Sequence, residues 1–495
     1  MGLGLLLLVS IGKENLYLSA QPEITFFKIA YKRHTNYSIE PTPQYFKTTP
    51  DFSRRCTVAI GKNADLMGMT YICVQLPNII MENFSTSSSS LKNFSWVSKI
   101  GLALINYVEV EIGGTIIDRH YGDWLNIWYE MVTSMGISRS YNRMIGNTPE
   151  MITYTKTKEQ ILLYIPLSFW FCMDTGLALP LIGMAHSDVK IHVEFNDFNN
   201  CYKVSPSYYL TMNDNFCLYK KGEQFYQQYQ NNKVVGEFIS FDDVNMRLYY
   251  NPIKGTFLVP TKNNDTNYVL TGNTSNYKMN ITANTVVVRD SNYFQFNQPS
   301  IVSAYLLVSY IYLDTYERLN FMNNSHEYLI PRVQTLPDQI INSVNTIYKL
   351  PLINPIKLIV WRVMLASNKN FNNNFIYTSL PYTTTEQDLI VRNKLVINSI
   401  NRMDLDNTEY YSLIQKYQYD FMNSQRGIYM YSFALNPRDI QPSGSMNFSK
   451  VDDAYIQVTL NNIINYQNPA IMRAYAIEYN LFRTSHGIGG LVFNL

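Results

Sequence analysis

Charge is scarce in this chain. Only 16% of its 495 residues are Asp, Glu, Lys or Arg, and 40 cations against 38 anions leave a formal net charge of +2. The Lys and Arg residues are spread among the acids, so the basic block expected of a nucleic-acid binder is missing. Cysteine is thin as well: Cys56, Cys73, Cys172, Cys201 and Cys217 are odd in number, fall in the first half and never stand in a CxxC spacing. That excludes a disulfide framework and reads as free thiols in a reducing compartment. No apolar run is long enough to span a bilayer. The best, LGLLLLVSI at 3–11, is about half of the ~20 residues required, and no Lys or Arg precedes it. It reads as a buried strand or an interface arm, with a signal peptide as the alternative.

Signatures of chemistry are equally sparse. There is no HExxH, HxH or GxSxG, and His186 and His192 stand six apart on no ligand spacing. Asp404 and Asp406, near Glu409, could imitate a carboxylate cluster, but acids at a helix start more simply favour its positive end. HGIGG at 486–490 has the glycines of a phosphate loop, yet five residues follow it, too few for the helix that would meet a phosphate. It reads as a tight turn before a last strand. The expectation is a protein without catalytic residues, metal or cofactor.

What is present is β structure. Alternation runs through VKIHVEF, with Val189, Ile191, Val193 and Phe195 on one side, and through YVEVEI, AYIQVTL and AYAIEYNLFR; these predict strands with one wet face. YLLVSYIYL at 305–313 and IKLIVWRVM at 356–364 are apolar on both sides and predict strands between two layers. Forty tyrosines add β propensity. Length predicts two large domains, or two plus an insertion, rather than one core.

Helical spacing is found twice. DWLNIWYEMVTSM offers Asp123 as N-cap and a stripe of Trp124, Ile127, Trp128, Met131 and Met135; TEYYSLIQKYQYDF offers Tyr410, Leu413, Ile414, Tyr417 and Phe421. Each follows a short strand and turn, a weak internal repeat. Between them, residues 199–300 dilute the alternation with Asn, Tyr, Lys and Ser, which predicts a surface insertion without core strands. Sequons at Asn93, Asn273 and Asn280 matter only on a secretory route.

ITFFKIAYKRHTNYSIE at 24–40 sets aromatics against Lys28, Lys32, Arg33 and His34. Alone it fits a nucleic-acid clamp, a membrane-surface segment or a strand with a charged end; near-neutral charge weakens the first. With PE before it, this stretch resembles the amino-terminal signature of the double-jelly-roll major capsid proteins of nucleocytoplasmic large DNA viruses, through Phe26, Phe27, Arg33, His34, Thr35 and Asn36. VEVEIGGTIIDRHYGDWLNIWYE resembles the family's strand, turn and helix, through Gly113, Gly114, Asp118, His120 and Trp124. FWFCMDTGLALPLIGMAHSDVKIHVEF, with Pro180, and YIYLDTYERLNFMNNSHEYLI resemble the close of its first domain. GIYMYSFALNPRDIQPSGSMNFSKVDDAYIQVTL carries Tyr431, Pro437, Pro442, Gly444, Asn447 and Phe448, and AIEYNLFRTSHGIGGLVF carries Gly487, Gly489 and Gly490. The matches keep family order from about residue 12 to the end, with the 199–300 insertion and the region 335–400 poorly covered. Ser19-Ala20-Gln21, where the family often has a Gly-Asn turn, and His486 depart from the pattern.

The resemblance implies an all-β protein of two consecutive eight-stranded antiparallel jelly rolls with a few short helices. An arm at 1–22 would face the capsid interior. The first jelly roll would span 23–318 with an outer-surface insertion at about 199–300, and the second 327–495. It places Ile24, Phe26 and Lys28 on one face of a first strand and Thr25, Phe27 and Ile29 on the other. It implies homotrimers that tile an icosahedral virion shell assembled in host cytoplasm, beside minor capsid and penton proteins. An internal membrane beneath the shell and glycans on outer loops stay open as partners, and no direct nucleic-acid contact is expected. The rival readings are an insertion that binds host glycans or a receptor, and a jelly-roll enzyme that metal analysis would reveal.

Overall fold

One order of strands occurs twice along the chain. The computed structural model describes all residues except 1–4, 6–11, 16–18, 82–91, 230–231, 263–267, 290–297, 381–385, 403–407, 422–424 and 494–495. The apolar run at 3–11 apart from Leu5, the Ser-rich loop at 83–90, and Asp404 and Asp406 therefore lie outside the described residues. In the first half the strands are β1 (Tyr37–Tyr45), β2 (Arg55–Ala59), β3 (Leu66–Leu76), β4 (Ile105–Ile112), β5 (Thr115–Tyr121), β6 (Ile161–Pro166), β7 (Val189–Phe195) and β8 (Ser303–Leu313). They form two four-stranded sheets, β1-β8-β3-β6 and β2-β7-β4-β5. In the second half β9 (His326–Thr335), β10 (Asn345–Lys349), β11 (Pro355–Leu365), β12 (Ile390–Ile397), β13 (Ile400–Asn401), β14 (Ile428–Ser432), β15 (Ala454–Leu460) and β16 (Ala470–Ser485) pair as β9-β16-β11-β14 and β10-β15-β12-β13. Adding eight to each label of the first pair of sheets gives the second. This is the interleaved order of a jelly roll, made twice.

Alternation decides which side chains fill each barrel. Val189, Ile191, Val193 and Phe195 of β7 enter the first core with Val108, Val110 and Ile112 of β4; Ile456, Val458 and Leu460 of β15 enter the second with Leu395 and Ile397 of β12. The other face of β7 and β4, expected to be wet, carries a ladder of charge pairs. Glu109, fully buried, takes Arg55 at 2.9 Å and also pairs with Arg119; Glu111 takes Lys190 at 2.7 Å and His192 at 2.8 Å.

The internal repeat extends to turn chemistry. Gly113 and Gly114 link β4 to β5, and Asn398 and Ser399 link β12 to β13, all with positive φ, as a two-residue hairpin turn demands. After β5 comes helix α1 (Gly122–Val132). After β13 comes a wide helical turn at Tyr410–Ile414 that runs into an α-turn at Gln415–Gln418. There the predicted stripe is partly inverted: Tyr411, Ser412, Gln415 and Lys416 are buried, while Leu413 and Ile414 are exposed and Tyr417 is 90% exposed. Widening the turn shifts which residues share a face, so a 3.6-residue period misreads it. Tyr411 packs edge-on against Trp361 at 5.4 Å.

Three further expectations are corrected. Residues 24–36 form no strand: the segment makes only a local bridge between Thr25 and Lys28, and its side chains are exposed, Phe26 by 91% and Phe27 by 98%. The ladder begins at Tyr37, where β8 first supplies a partner, Tyr37 opposite Leu313; the alternation in FFKIAY has no neighbouring backbone to pair with. Second, β16 has no wet face over Ala474–Asn480, where every residue is buried; α1 covers its outer side at Tyr475 and Ile477. Third, the insertion is not coreless. Between β7 and β8 a seven-stranded sheet spanning Tyr208–Arg289 buries Leu210, Phe225, Phe238, Leu248, Tyr250 and Leu270 in a core of its own.

The edge strands are blunted. Among the described residues β1 pairs only with β8, and Pro41 and Pro43 sit on it two apart; β9 likewise pairs only with β16 and carries Pro331. Proline lacks the N–H a further strand would need, and its tolerance at edges follows from that.

Candidate assembly site: the seam and the exposed arm

The two barrels meet through α1. Gly122 opens this helix against backbone: a Cβ there would lie 2.3 Å from the Leu102 carbonyl oxygen and 2.4 Å from that of Ile105. The close approach lets Trp124, Ile127 and Met131 lie on the outer face of the second barrel, against Leu358, Val360, Met430, Tyr475 and Ile477. Trp124 sits 5.1 Å from the Tyr475 ring and 5.6 Å from that of Trp128.

Asp123 is not the N-cap; Tyr121 holds that position, and Asp123 points into the seam. Arg362 of β11 donates from Nε at 2.9 Å and from Nη2 at 2.7 Å to its Oδ2. The Tyr475 hydroxyl donates to the same oxygen at 2.9 Å, and the Tyr377 hydroxyl donates to Oδ1. Asn126 donates to the Tyr377 hydroxyl oxygen at 3.2 Å, and Lys99 donates to Asn126 Oδ1 at 2.6 Å and to Glu130 at 2.5 Å. Burial pushes the Asp123 carboxyl up, but the Arg362 charge and the donated hydrogen bonds outweigh it and hold the group below the usual carboxylate range. Burial and the Asp123 charge push Tyr377 and Tyr475 well above an ordinary phenol.

Two smaller ties flank this one. Asp118 accepts from the Val333 amide of β9 at 3.2 Å, and His120, stacked on Phe169 at 4.5 Å, lies 3.1 Å from its other oxygen. At the C-terminal end His486 and Gly487, with φ of 52° and 79°, turn β16 back into β17 (Ile488–Leu491), as HGIGG predicts. The His186 amide donates to the Gly487 carbonyl at 2.8 Å and the Gly489 amide to Ser187 Oγ at 3.1 Å. A Cβ on Gly487 would strike His186 at 2.6 Å, and one on Gly489 would strike Met184 at 2.4 Å. Gly113 faces the same Ser187, whereas Gly114 and Gly490 border open space.

The family-signature residues thus fall into three groups. Asp118, His120, Trp124, Gly113, Gly487 and Gly489 gather on the seam. Pro180, Pro437 and Phe448 are buried, Tyr431 is half-buried against Phe433 at 5.1 Å, Asn447 caps a short turn by accepting from Ser449, Gly444 sits tightly against Phe433, and Pro442 is exposed. Phe26, Phe27, Arg33, His34, Thr35 and Asn36 lie together on the exposed arm, away from the seam.

Arg362, Tyr377 and Tyr475 were not among the sequence candidates, and Asp123 was assigned a capping role. One signal was available: an arginine inside IKLIVWRVM, a strand apolar on both faces, demands a buried carboxylate. Lys416 was missed too. Burial holds its amine down to about 7, with Asp388 and Glu130 only partly offsetting the cost. Because its unfolded value is about 10.4, the unfolded chain binds more protons between the two values and stability rises with pH across that window. Lys416→Met is therefore expected to stabilise the chain by about 1–3 kcal/mol at pH 7 and below, with the gain shrinking toward pH 10. Chemical denaturation at pH 6, 8 and 10 checks this, and a loss of stability at pH 6 would contradict it.

Among the described residues no cluster of three His, Cys, Asp or Glu could hold a metal, and no helix is long and apolar enough to cross a membrane.

Family models match both halves: one described as major capsid protein N-terminus over residues 25–218, and one described as large eukaryotic DNA virus major capsid protein over 317–490. The chain is 31% identical to probable capsid protein 4 of Acanthamoeba polyphaga mimivirus over 99% of both chains. It is 29% identical to the major capsid protein of Pyramimonas orientalis virus over the whole of both. Its fold resembles the Faustovirus major capsid protein, with a TM-score of 0.67 at 13% identity, covering 94% of this chain and 93% of that one. It also resembles the PBCV-1 virus capsid model, with a TM-score of 0.64 at 22% identity, covering 95% and 100%.

Proposed function

Because the chain belongs to the major capsid protein family of large eukaryotic DNA viruses and forms the virion shell, we propose that it does so as a homotrimer. The observation that carries this reading is the duplicated strand order. Two barrels of one topology, joined through α1, give three chains six similar units around one axis. Such a block is nearly hexagonal and tiles a curved shell. Cyclic closure requires a heterologous contact, in which one patch meets a different patch on the next copy, and a sealed ring should bury more than about 2,000 Å² per interface.

The folded insertion supplies the outward end of the block, and the exposed arm at 20–36 supplies its inward contacts, to minor capsid and penton proteins or to an underlying membrane. Helix α2 (Thr315–Asn323), between β8 and β9, marks the boundary between the jelly rolls. The work of the chain is structural, done by burying apolar and tyrosine-rich patches between copies.

Solution mass tests the trimer. Three times the 57.5 kDa chain gives 172.5 kDa, expected by light scattering under assembly conditions. A species that stays at 57.5 kDa throughout would overturn the trimer.

A further inference from the structure

A cleft of about 480 Å³ opens where four stretches distant in sequence meet: Tyr154 of the first half, residues 199–208 leading into the insertion, Asn251 and Pro252 within its sheet, and 369–373 of the second half. Its walls are fixed by the chain itself. Asn372 donates from Nδ2 to the carbonyl oxygens of Asn199 at 2.6 Å and Tyr202 at 2.7 Å, and Asn374 donates to that of Asn200 at 3.2 Å. Lys203 donates to Asn373 Oδ1. The cleft is therefore preformed, as ligand sites usually are.

Its lining is chemically selective. Among the described residues two amines, Lys203 and Lys369, border it and no carboxylate does. Burial pushes the Lys203 amine down to about 8, the condition that an arriving anion relieves. Tyr208 and Phe371 stand edge-to-face at 6.2 Å and bring aromatic surface to one side. Among the described residues the side chains of Asn200, Asn370 and Lys369 have no protein partner, leaving amide and ammonium groups for a ligand. Amides give and accept hydrogen bonds to hydroxyls, aromatic rings cover the apolar face of a pyranose, and ammonium groups pair with a carboxylate.

We propose that this cleft binds a carboxylate-bearing sugar at the end of a glycan, with Lys369 and Lys203 on the carboxylate, Asn200 and Asn370 on hydroxyls, and the ring against Tyr208 and Phe371. The site lies within one chain, so it stands or falls independently of the trimer.

The full chain is titrated calorimetrically with 3′-sialyllactose, with lactose and with inorganic phosphate, beside Lys369→Gln and Asn370→Ala. Both positions are exposed, so thermal melting of the two variants should match the parent and confirm their fold. The expected result is saturable binding of sialyllactose, at least tenfold weaker binding of lactose, and a loss of about tenfold in Lys369→Gln, the scale of one charge-assisted hydrogen bond. Absence of sialyllactose binding overturns the site, and so does binding undiminished in both variants. Lactose binding as tight as sialyllactose overturns the role of the amines. Phosphate binding as tight as sialyllactose shows an anion site with no preference for sugar and overturns the ligand class.

Discussion

Arg362→Ala is expected to lower the unfolding free energy by about 3–5 kcal/mol, the cost of stranding one partner of a buried ion pair. Asp123 would keep two tyrosine hydroxyls but lose both guanidinium bonds, at 2.9 and 2.7 Å. Its pH dependence distinguishes this from simple loss of packing. In the parent the carboxyl is held below its usual range, so its contribution is fully present above the unfolded value of about 3.9 and disappears only as pH falls through the lower folded value. In the variant, burial without Arg362 raises the folded value, and the deficit against the parent should narrow as pH drops from 7 to 4. Denaturant titrations at both pH values measure it. The double variant Asp123→Leu with Arg362→Met should recover most of the loss, since a well-packed apolar pair replaces a buried ion pair at little cost. A single-variant loss under 1 kcal/mol, or a deficit that widens in acid, would show that the pair does not hold the seam.

Gly122→Ala should be comparably severe, for a steric reason. The added methyl would need the space held by two carbonyl oxygens at 2.3 and 2.4 Å, and backbone oxygens cannot rotate away as a side chain can. Either α1 lifts from β4, withdrawing Trp124 and Asp123 from the second barrel, or the Leu102–Ile105 backbone shifts into the first core. Overpacking costs about 1–3 kcal/mol where side chains yield; here backbone must yield, so the upper end or beyond is expected. Gly114→Ala is the control. It has positive φ but nothing within 4 Å of the new methyl, so it carries only backbone strain of about 1–2 kcal/mol. Melting curves that place the two variants together would refute the steric argument.

Much of the barrel was legible because alternation and burial coincide there. VKIHVEF and AYIQVTL became β7 and β15 with the predicted residues inward, since each has a core on one side and both neighbours in its ladder. Legibility failed where a partner decided the outcome. AYAIEYNLFR alternates, yet α1, whose Asp123 lies 352 positions before its partner Tyr475, packs on its outer side; no local pattern records that. FFKIAY has a strand's composition but no strand beside it. The insertion's core residues, such as Leu210, Phe225, Leu248 and Leu270, stand singly among Asn, Lys and Ser, so no dense apolar run marks its strands. At the seam, Trp124 was placed correctly on α1, but the role of Asp123 required knowing that Arg362 lies opposite. The cleft at Lys203 draws its walls from four remote stretches and has no sequence signature at all.

The prolines of β1 and β9 bear on how a shell of many copies can be put together without error. With Pro41, Pro43 and Pro331 on the outer strands, neighbouring copies cannot zip into one another along these edges through continuous main-chain ladders. Joints there must instead be made by side chains, a contact that can open again more easily than a continuous main-chain ladder. A misplaced copy can then leave before the shell closes around it, whereas a zipped edge would fix the mistake.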